Sequence, residues 1–339
     1  MNMVSEQKKP LIVVDGLRKQ FSVRKHDTGT FAFLRNLFSR QVRLVNAVDN
    51  VSFTIRPGEI VGYIGPNGAG KSTTIKILTG LLVPSGGELR VDGYLPWRDR
   101  IQYVRNIGVV FGQRTTLWWD LPVMESFELL QYVYDIPSSR FRSNLSEFRK
   151  ILELDEFLEN PVRSLSLGQR MRADLCAALL HEPKLLFLDE PTIGLDVVAK
   201  ERIRQFILHI NEQRNVTVLL TTHDLSDVEK ICERVMILDQ GRLLFDGHLN
   251  QLIERFGGQR RLVVDFTEHY PQILVEGATL LSRNGMQATF QFDRQSITAS
   301  ELIGRLSQQY RIRDLQVLEP DIEETVRNIY EQRLLYENH

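Results

Sequence analysis

Short apolar runs bounded by polar residues set the rhythm of the first three quarters of the chain. Glu59–Ile64, Lys184–Leu188, Val216–Thr221 and Val235–Leu238 are too short for helices and do not alternate, which is the pattern of strands buried on both faces of a parallel sheet. Helical stretches separate them, so the frame is α/β. Leu11–Leu17 and Val51–Ile55 are rich in β-branched residues and predict two further strands, with a tight turn at Pro57-Gly58. Between about 116 and 178 the strand pattern fades. Phe127, Leu130, Val133 and Tyr134 recur there at helical spacing, which predicts a mostly helical lobe inserted into the α/β frame. Asp239-Gln240-Gly241-Arg242 reads as a hairpin turn, and the large domain closes soon after it.

A different pattern begins near Arg260. Residues 261–266 and 287–292 alternate apolar with polar, and 300–310 and 322–335 return to helical spacing, which together predict a small α+β domain. The expected organisation is therefore a first domain over 1–257 with its helical subdomain at about 116–178, then an accessory domain over 258–339. One stretch breaks the pattern. Phe31, Leu34, Leu37 and Phe38 recur with Arg35, Arg40 and Arg43 interleaved, which describes a basic amphipathic helix packed on its own domain or lying against a membrane surface or membrane protein.

Composition narrows the function. Lys and Arg total 42 against 43 Asp and Glu, for a net charge of −1, so nothing calls for a nucleic-acid partner. Every apolar run falls far short of the ~18 residues that span a bilayer, and Met1–Pro10 lacks the apolar stretch of a secretory signal. A cytosolic protein is expected, with any membrane role borrowed from a partner. Cys176 and Cys232 are far apart and lack metal-ligand spacing, so they read as buried reduced thiols.

Two motifs carry chemistry. Gly65-Pro66-Asn67-Gly68-Ala69-Gly70-Lys71-Ser72 matches the phosphate-binding loop pattern, with a strand before it and a helix after it. Backbone N–H groups there converge on phosphate, with Asn67, Gly68, Gly70 and Thr73 completing the cradle. Lys71 would neutralise the β- and γ-phosphates, and the Ser72 hydroxyl would ligate Mg2+. Leu185-Leu186-Phe187-Leu188 then delivers Asp189 and Glu190 to the carboxyl edge of the sheet, where open α/β folds bind ligands. Asp189 would hold the Mg2+ shell, and Glu190 would polarise the attacking water.

Leu165-Ser166-Leu167-Gly168-Gln169, shortly before that strand, resembles the signature motif of ABC ATPases. The resemblance runs from about Val13 to Gly247 and includes Gln113, Gly194-Leu195-Asp196 and Thr222-His223 in the family's order. It implies a P-loop ABC ATPase that binds ATP and Mg2+ between two copies of itself or of a related subunit. Ser166, Gly168 and Gln169 would then meet the γ-phosphate bound by the other copy. Gln113 would sense Mg2+ and the permease, Asp196 would link the two sites, and His223 would contact the γ-phosphate. Two features depart from the pattern. Leu167 stands where the signature usually has glycine, and Phe21, near the place of the adenine-stacking aromatic, is either that platform or a core residue.

The stretch from Phe111 to Leu130, with LSLGQR and DEPTIGLDVVAKERIR, resembles ATPases of the exporter branch that serve drug, antibiotic or quaternary-amine efflux. Such chains work with separately encoded permeases at the cytoplasmic face of the membrane. Trp118 and Trp119 fall where the family presents a groove to the permease, or else pack within the lobe. Glu319-Pro320-Asp321-Ile322-Glu323 resembles the start of the last helix in many exporter ATPases. An importer subunit shares every catalytic motif and is the alternative; a soluble ABC ATPase without a membrane partner is a further one.

Overall fold

In a computed structural model, the structure describes residues 9–24, 42–112, 114–257, 259–293, 296–319 and 321–337. The basic amphipathic stretch at 31–43 falls almost entirely outside the described residues, and Gln113 falls outside them too. Among the described residues no helix is long and apolar enough to cross a membrane.

The first unit spans Met1–Asp246. Its strands are β1 (Ile12–Arg24), β2 (Val42–Ile55), β3 (Ile60–Ile64), β4 (Gly86–Val91), β5 (Ile107–Phe111), β6 (Leu185–Asp189), β7 (Thr217–Thr222), β8 (Arg234–Asp239) and β9 (Arg242–His248). Six of them form one sheet in the order β5-β6-β7-β3-β8-β9. The pairs β5-β6, β6-β7, β7-β3 and β3-β8 are parallel. Every residue of β3 and β7 is buried, which is why these strands read as unbroken apolar runs. A second sheet, β2-β1-β4, is antiparallel. Between the sheets Phe53, Tyr63, Ile75, Leu78, Phe187 and Met236 share one core, where each fully buried side chain of this size stabilises by roughly 1.5–3 kcal/mol. The Gln240-Gly241 turn has φ 46 and 79, the two positive values that a type I′ hairpin requires.

The helices of this unit are α1 (Lys71–Leu78), α2 (Arg100–Val104), α3 (Val123–Val133), α4 (Ser138–Leu152), α5 (Leu167–Leu179), α6 (Val197–Arg214) and α7 (Leu225–Ile231). The expected inserted lobe is made of α3, α4 and α5. Its entrance is tied by Asp174 on α5, which is buried and accepts from Thr115 Oγ1 (2.8 Å) and from Thr116 N (2.9 Å). Burial pushes the Asp174 pKa up to about 6, and the threonine hydrogen bonds oppose the rise. On α3, Phe127 points inward as its spacing predicts, but Val133 is 64% exposed. The apolar period there continues onto an outer face.

The second unit, Gly247–His339, contains α8 (Leu249–Phe256), β10 (Arg260–Phe266), β11 (Thr279–Asn284), β12 (Gln287–Phe292), α9 (Ala299–Gln309), β13 (Ile312–Leu318) and α10 (Ile322–Glu337). Its antiparallel sheet runs β11-β12-β10-β13. Leu262, Val264 and Phe266 on β10 and Ala288, Phe290 and Phe292 on β12 face a core shared with Leu302 and Leu306 of α9. The division lies between Asp246 and Gly247 rather than at 257/258. The reason is α8: Leu252 is buried, and Asn328 Nδ2 of α10 donates to Phe256 O at 3.2 Å. That helix packs with the second unit's own last helix.

Ending the chain after His248 leaves β9 whole, together with its Arg234–Asp246 ion pair at 2.7 Å. Such a truncation should fold and bind a fluorescent ATP analogue within about threefold of the full chain, because the first unit carries its own core. A folded truncation that no longer binds the analogue would contradict this division.

Candidate active site

The parallel register brings three strand ends together. Ile64 of β3 lies beside Thr222 of β7, and Asp189 of β6 lies beside Thr221 of β7. The Gly65–Ser72 loop leaves β3 at this edge and enters α1. Gly70 caps that helix with φ 102, and a Cβ there would fall 2.3 Å from Ala47 O. At Gly65 a Cβ would fall 2.6 Å from Leu238 O. Both positions therefore exclude any side chain. Asn67 and Gly68 lie open to solvent at the crest of the loop, and the half-buried Ser72 and Thr73 begin α1 behind Lys71.

Lys71 is buried, and its ammonium donates to Gly65 O (2.6 Å) and Pro66 O (3.1 Å). Burial lowers its pKa, and the charges of Glu190 and Asp189 pull it back up. Asp189 accepts from Ser72 Oγ (3.1 Å) and from Thr221 Oγ1 (2.6 Å), both on Oδ1. Glu190 stands in the left-handed region with φ 54, which costs a non-glycine residue roughly 1–3 kcal/mol and persists only where surrounding bonds enforce it. Its N–H donates to Thr221 O (3.0 Å) and Thr221 Oγ1 (3.1 Å). Its carboxylate meets His223, whose Nδ1 lies 3.4 Å from Glu190 Oε1. Thr221, which braces both acids, is a site residue that the motifs did not mark. The visible signal is a pair of threonines, Thr221 and Thr222, closing the buried strand beside His223.

A cavity of about 310 Å3 opens beside these groups, lined by Ser72, Asp189, Glu190, Lys76 and Arg114 among others. On the near side of Gln113, Gly112 N donates to Asp189 O at 2.8 Å. Among the described residues no group of three or more His, Cys, Asp or Glu is arranged to hold a metal. One carboxylate with one hydroxyl fits a Mg2+ ion that takes its remaining ligands from phosphate and water. A glycine-cradled loop, a buried lysine and that donor set fit a magnesium nucleotide.

The other expected residues do not join this cluster. Ser166 caps α5 in a capping box: its Oγ accepts from Gln169 N (3.2 Å), and its N–H donates to Gln169 Oε1 (2.9 Å). Ser166 is exposed, and Gly168 faces Ala199 and Leu195 of its own chain. Leu167 is directed toward Gly194, where a Cβ would come within 3.1 Å of Leu167 Cδ2. Asp196 caps α6 by accepting from Ala199 N (2.8 Å). Phe21 lies outside the core at 37% exposure, with Lys19 Nζ 5.2 Å over its ring. Trp118 and Trp119 are likewise exposed, at 41% and 50%.

The chain is similar to known proteins. The family model described as ABC transporter matches residues 48–193. The ABC transporter ATP-binding protein NatA of Bacillus subtilis is 30% identical over 217 residues, covering 64% of this chain and 88% of that protein. The linearmycin resistance ATP-binding protein LnrL of Bacillus subtilis is 29% identical over 290 residues, covering 83% of this chain and 93% of that protein. A dimeric post-hydrolysis structure of the ATP-binding cassette MJ0796, bound to ADP and Pi, superposes with a TM-score of 0.58 at 27% identity, covering 70% of this chain and 98% of that one.

Glu190→Gln keeps the shape and hydrogen-bonding capacity of the side chain but removes its charge. Nucleotide binding should persist while steady-state ATP hydrolysis falls by ~10²-fold or more. Turnover near that of the unaltered protein would remove Glu190 from the reaction.

Proposed function

We propose a specific role for this chain, which belongs to the ATP-binding proteins of ABC transporters and is an ATPase: it hydrolyses ATP between two copies of itself and drives a separate permease in the outward direction. One observation carries the reading. Lys71, Ser72, Asp189, Glu190 and His223 converge at one sheet edge, whereas the Ser166 helix end is exposed, with Ser166 and Gln169 tied to each other in a capping box. A helix N-terminus is suited to an anion, and a second copy would bring one.

In this reading the amides from Asn67 to Thr73 and the Lys71 ammonium hold the β- and γ-phosphates, and the exposed Phe21 ring supports the adenine. Ser72 and Asp189 would hold Mg2+, which when bound neutralises phosphate charge. A water beside Glu190 gives up a proton to that carboxylate as its oxygen bonds the γ-phosphorus. The bond to the β-phosphate oxygen breaks, leaving ADP and inorganic phosphate. His223 fixes the geometry of the attack, with Gln113 completing the Mg2+ side. Ser166, Gly168 and Gln169 of the second copy stabilise the charge that spreads over the γ-phosphate, and Asp196 carries contact between the two sites. The permease meets the helical lobe near Trp118 and Trp119, which holds the chain at the cytoplasmic face of the membrane.

Export is favoured by the stretch from Phe111 to Leu130 and by the match to LnrL along 83% of the chain, a protein whose name denotes resistance. Inside-out vesicles carrying this chain with its permease test the direction. With ATP supplied outside the vesicles, a fluorescent quaternary-ammonium dye should accumulate in the lumen, and the Glu190→Gln protein should abolish that accumulation. ATP-driven loss of preloaded dye would establish an importer. ATP hydrolysis without movement of dye in either direction would contradict the efflux reading.

A further inference from the structure

Behind the acids lies a buried ion pair that no motif includes. Asp227, in the first turn of α7, is fully buried, and Arg204 of α6 is nearly so. Arg204 Nε donates to Asp227 Oδ1 at 2.7 Å, and its Nη2 closes the pair on the same oxygen. The guanidinium also donates to Ser226 Oγ (2.9 Å). The other carboxylate oxygen, Oδ2, accepts from Thr192 Oγ1 (2.5 Å) and Thr222 Oγ1 (3.4 Å).

The partners of this carboxylate are the point. Thr192 follows Glu190 by two residues, and Thr222 immediately precedes His223. Arg204 sits on the helix that Asp196 begins, so the loop from Ile193 to Asp196 is tied to Asp227 at its start and through the helix at its end. We infer that Asp227 is a positioning residue: it sets Glu190 and His223 against each other and against the Gly194–Asp196 loop without touching nucleotide. The inference rests on the reading of Glu190 and His223 as the groups that act at the γ-phosphate.

A carboxylate so placed acts on the reaction rather than on affinity, because the phosphates are held by the Gly65–Ser72 loop on another strand. Displacing a reacting group by about 1 Å can cost ~10²-fold in rate while ground-state binding stays the same. The distinction between positioning and mere packing can be measured. Thr192→Val is nearly isosteric and removes only the hydroxyl tie. In the full-length protein it should lower kcat for ATP several-fold with the affinity for a fluorescent ATP analogue unchanged. Asp227→Asn removes the carboxylate nearest the buried Arg204 guanidinium and leaves it only Glu201, at 3.5 Å, among the described carboxylates, so it should lower both Tm and kcat. Adding Arg204→Leu removes the stranded charge.

The double variant Arg204→Leu/Asp227→Asn should regain thermal stability yet keep kcat about tenfold or more below the unaltered protein, again with analogue affinity unchanged. Recovery of kcat together with Tm would show a purely structural pair and overturn the inference. An unchanged kcat in Thr192→Val would overturn it as well. Full turnover by Glu190→Gln in the same assay would instead overturn the catalytic reading, and with it this inference.

Discussion

The structure depends on the common level at which β3, β6 and β7 end. These strands are buried along nearly their whole length, so their register is held by packing on both faces as well as by the parallel ladder. Shifting β6 by one residue would exchange the directions of Asp189 and Leu188, placing a carboxylate in the core and an aliphatic side chain at the phosphate loop. The same register sets Thr221 beside Asp189, where one hydroxyl and one carbonyl brace both acids. The left-handed backbone of Glu190 follows from these bonds. Two adjacent carboxylates at one strand end meet different partners, Ser72 and Thr221 for Asp189 and His223 for Glu190.

Much of this was legible in residue order. Unbroken apolar runs mark strands buried on both faces, and a loop that must approach phosphate requires glycine where a Cβ would strike backbone, as at Gly70. The resemblance to ABC ATPases supplied the roles of residues whose chemistry is invisible alone, Ser166 and His223 among them. Other features left no local trace. Strands β11 and β13 are exposed along most of their length, so they show no alternation. Helix α8 carries a single buried residue, Leu252, which is too little to reveal which unit it joins. The Asp227–Arg204 pair is split across two helices, and spacing within either helix does not connect them.

The signature region joins sequence and assembly. Leu167 departs from the glycine usual at its position, a change that was expected to narrow the approach to phosphate. In the fold its side chain is directed toward Gly194 of the same chain, leaving Ser166 exposed at the helix end. A capping box contributes about 1 kcal/mol to a helix, and here it also fixes the Ser166 side chain at the end that a phosphate would meet. On the proposed reading, each chain carries both halves of an ATP site but keeps them apart, and pairing of two chains would complete each site.

Mixing two defective chains tests that most directly. Lys71→Ala disables the phosphate loop, and Ser166→Arg disables the exposed helix end, so each variant paired with itself has two broken sites. A mixed pair concentrates both defects in one site and leaves the other with an intact loop from one chain and an intact helix end from its neighbour. The measurement is occlusion of ATP by mixed assemblies, coexpressed with the permease under two affinity tags and purified through both. A site built from two chains predicts that the mixed assembly occludes ATP while each variant paired with itself does not. A mixed assembly that occludes none, beside an unaltered assembly that does, would contradict a shared site and turn attention to Leu167.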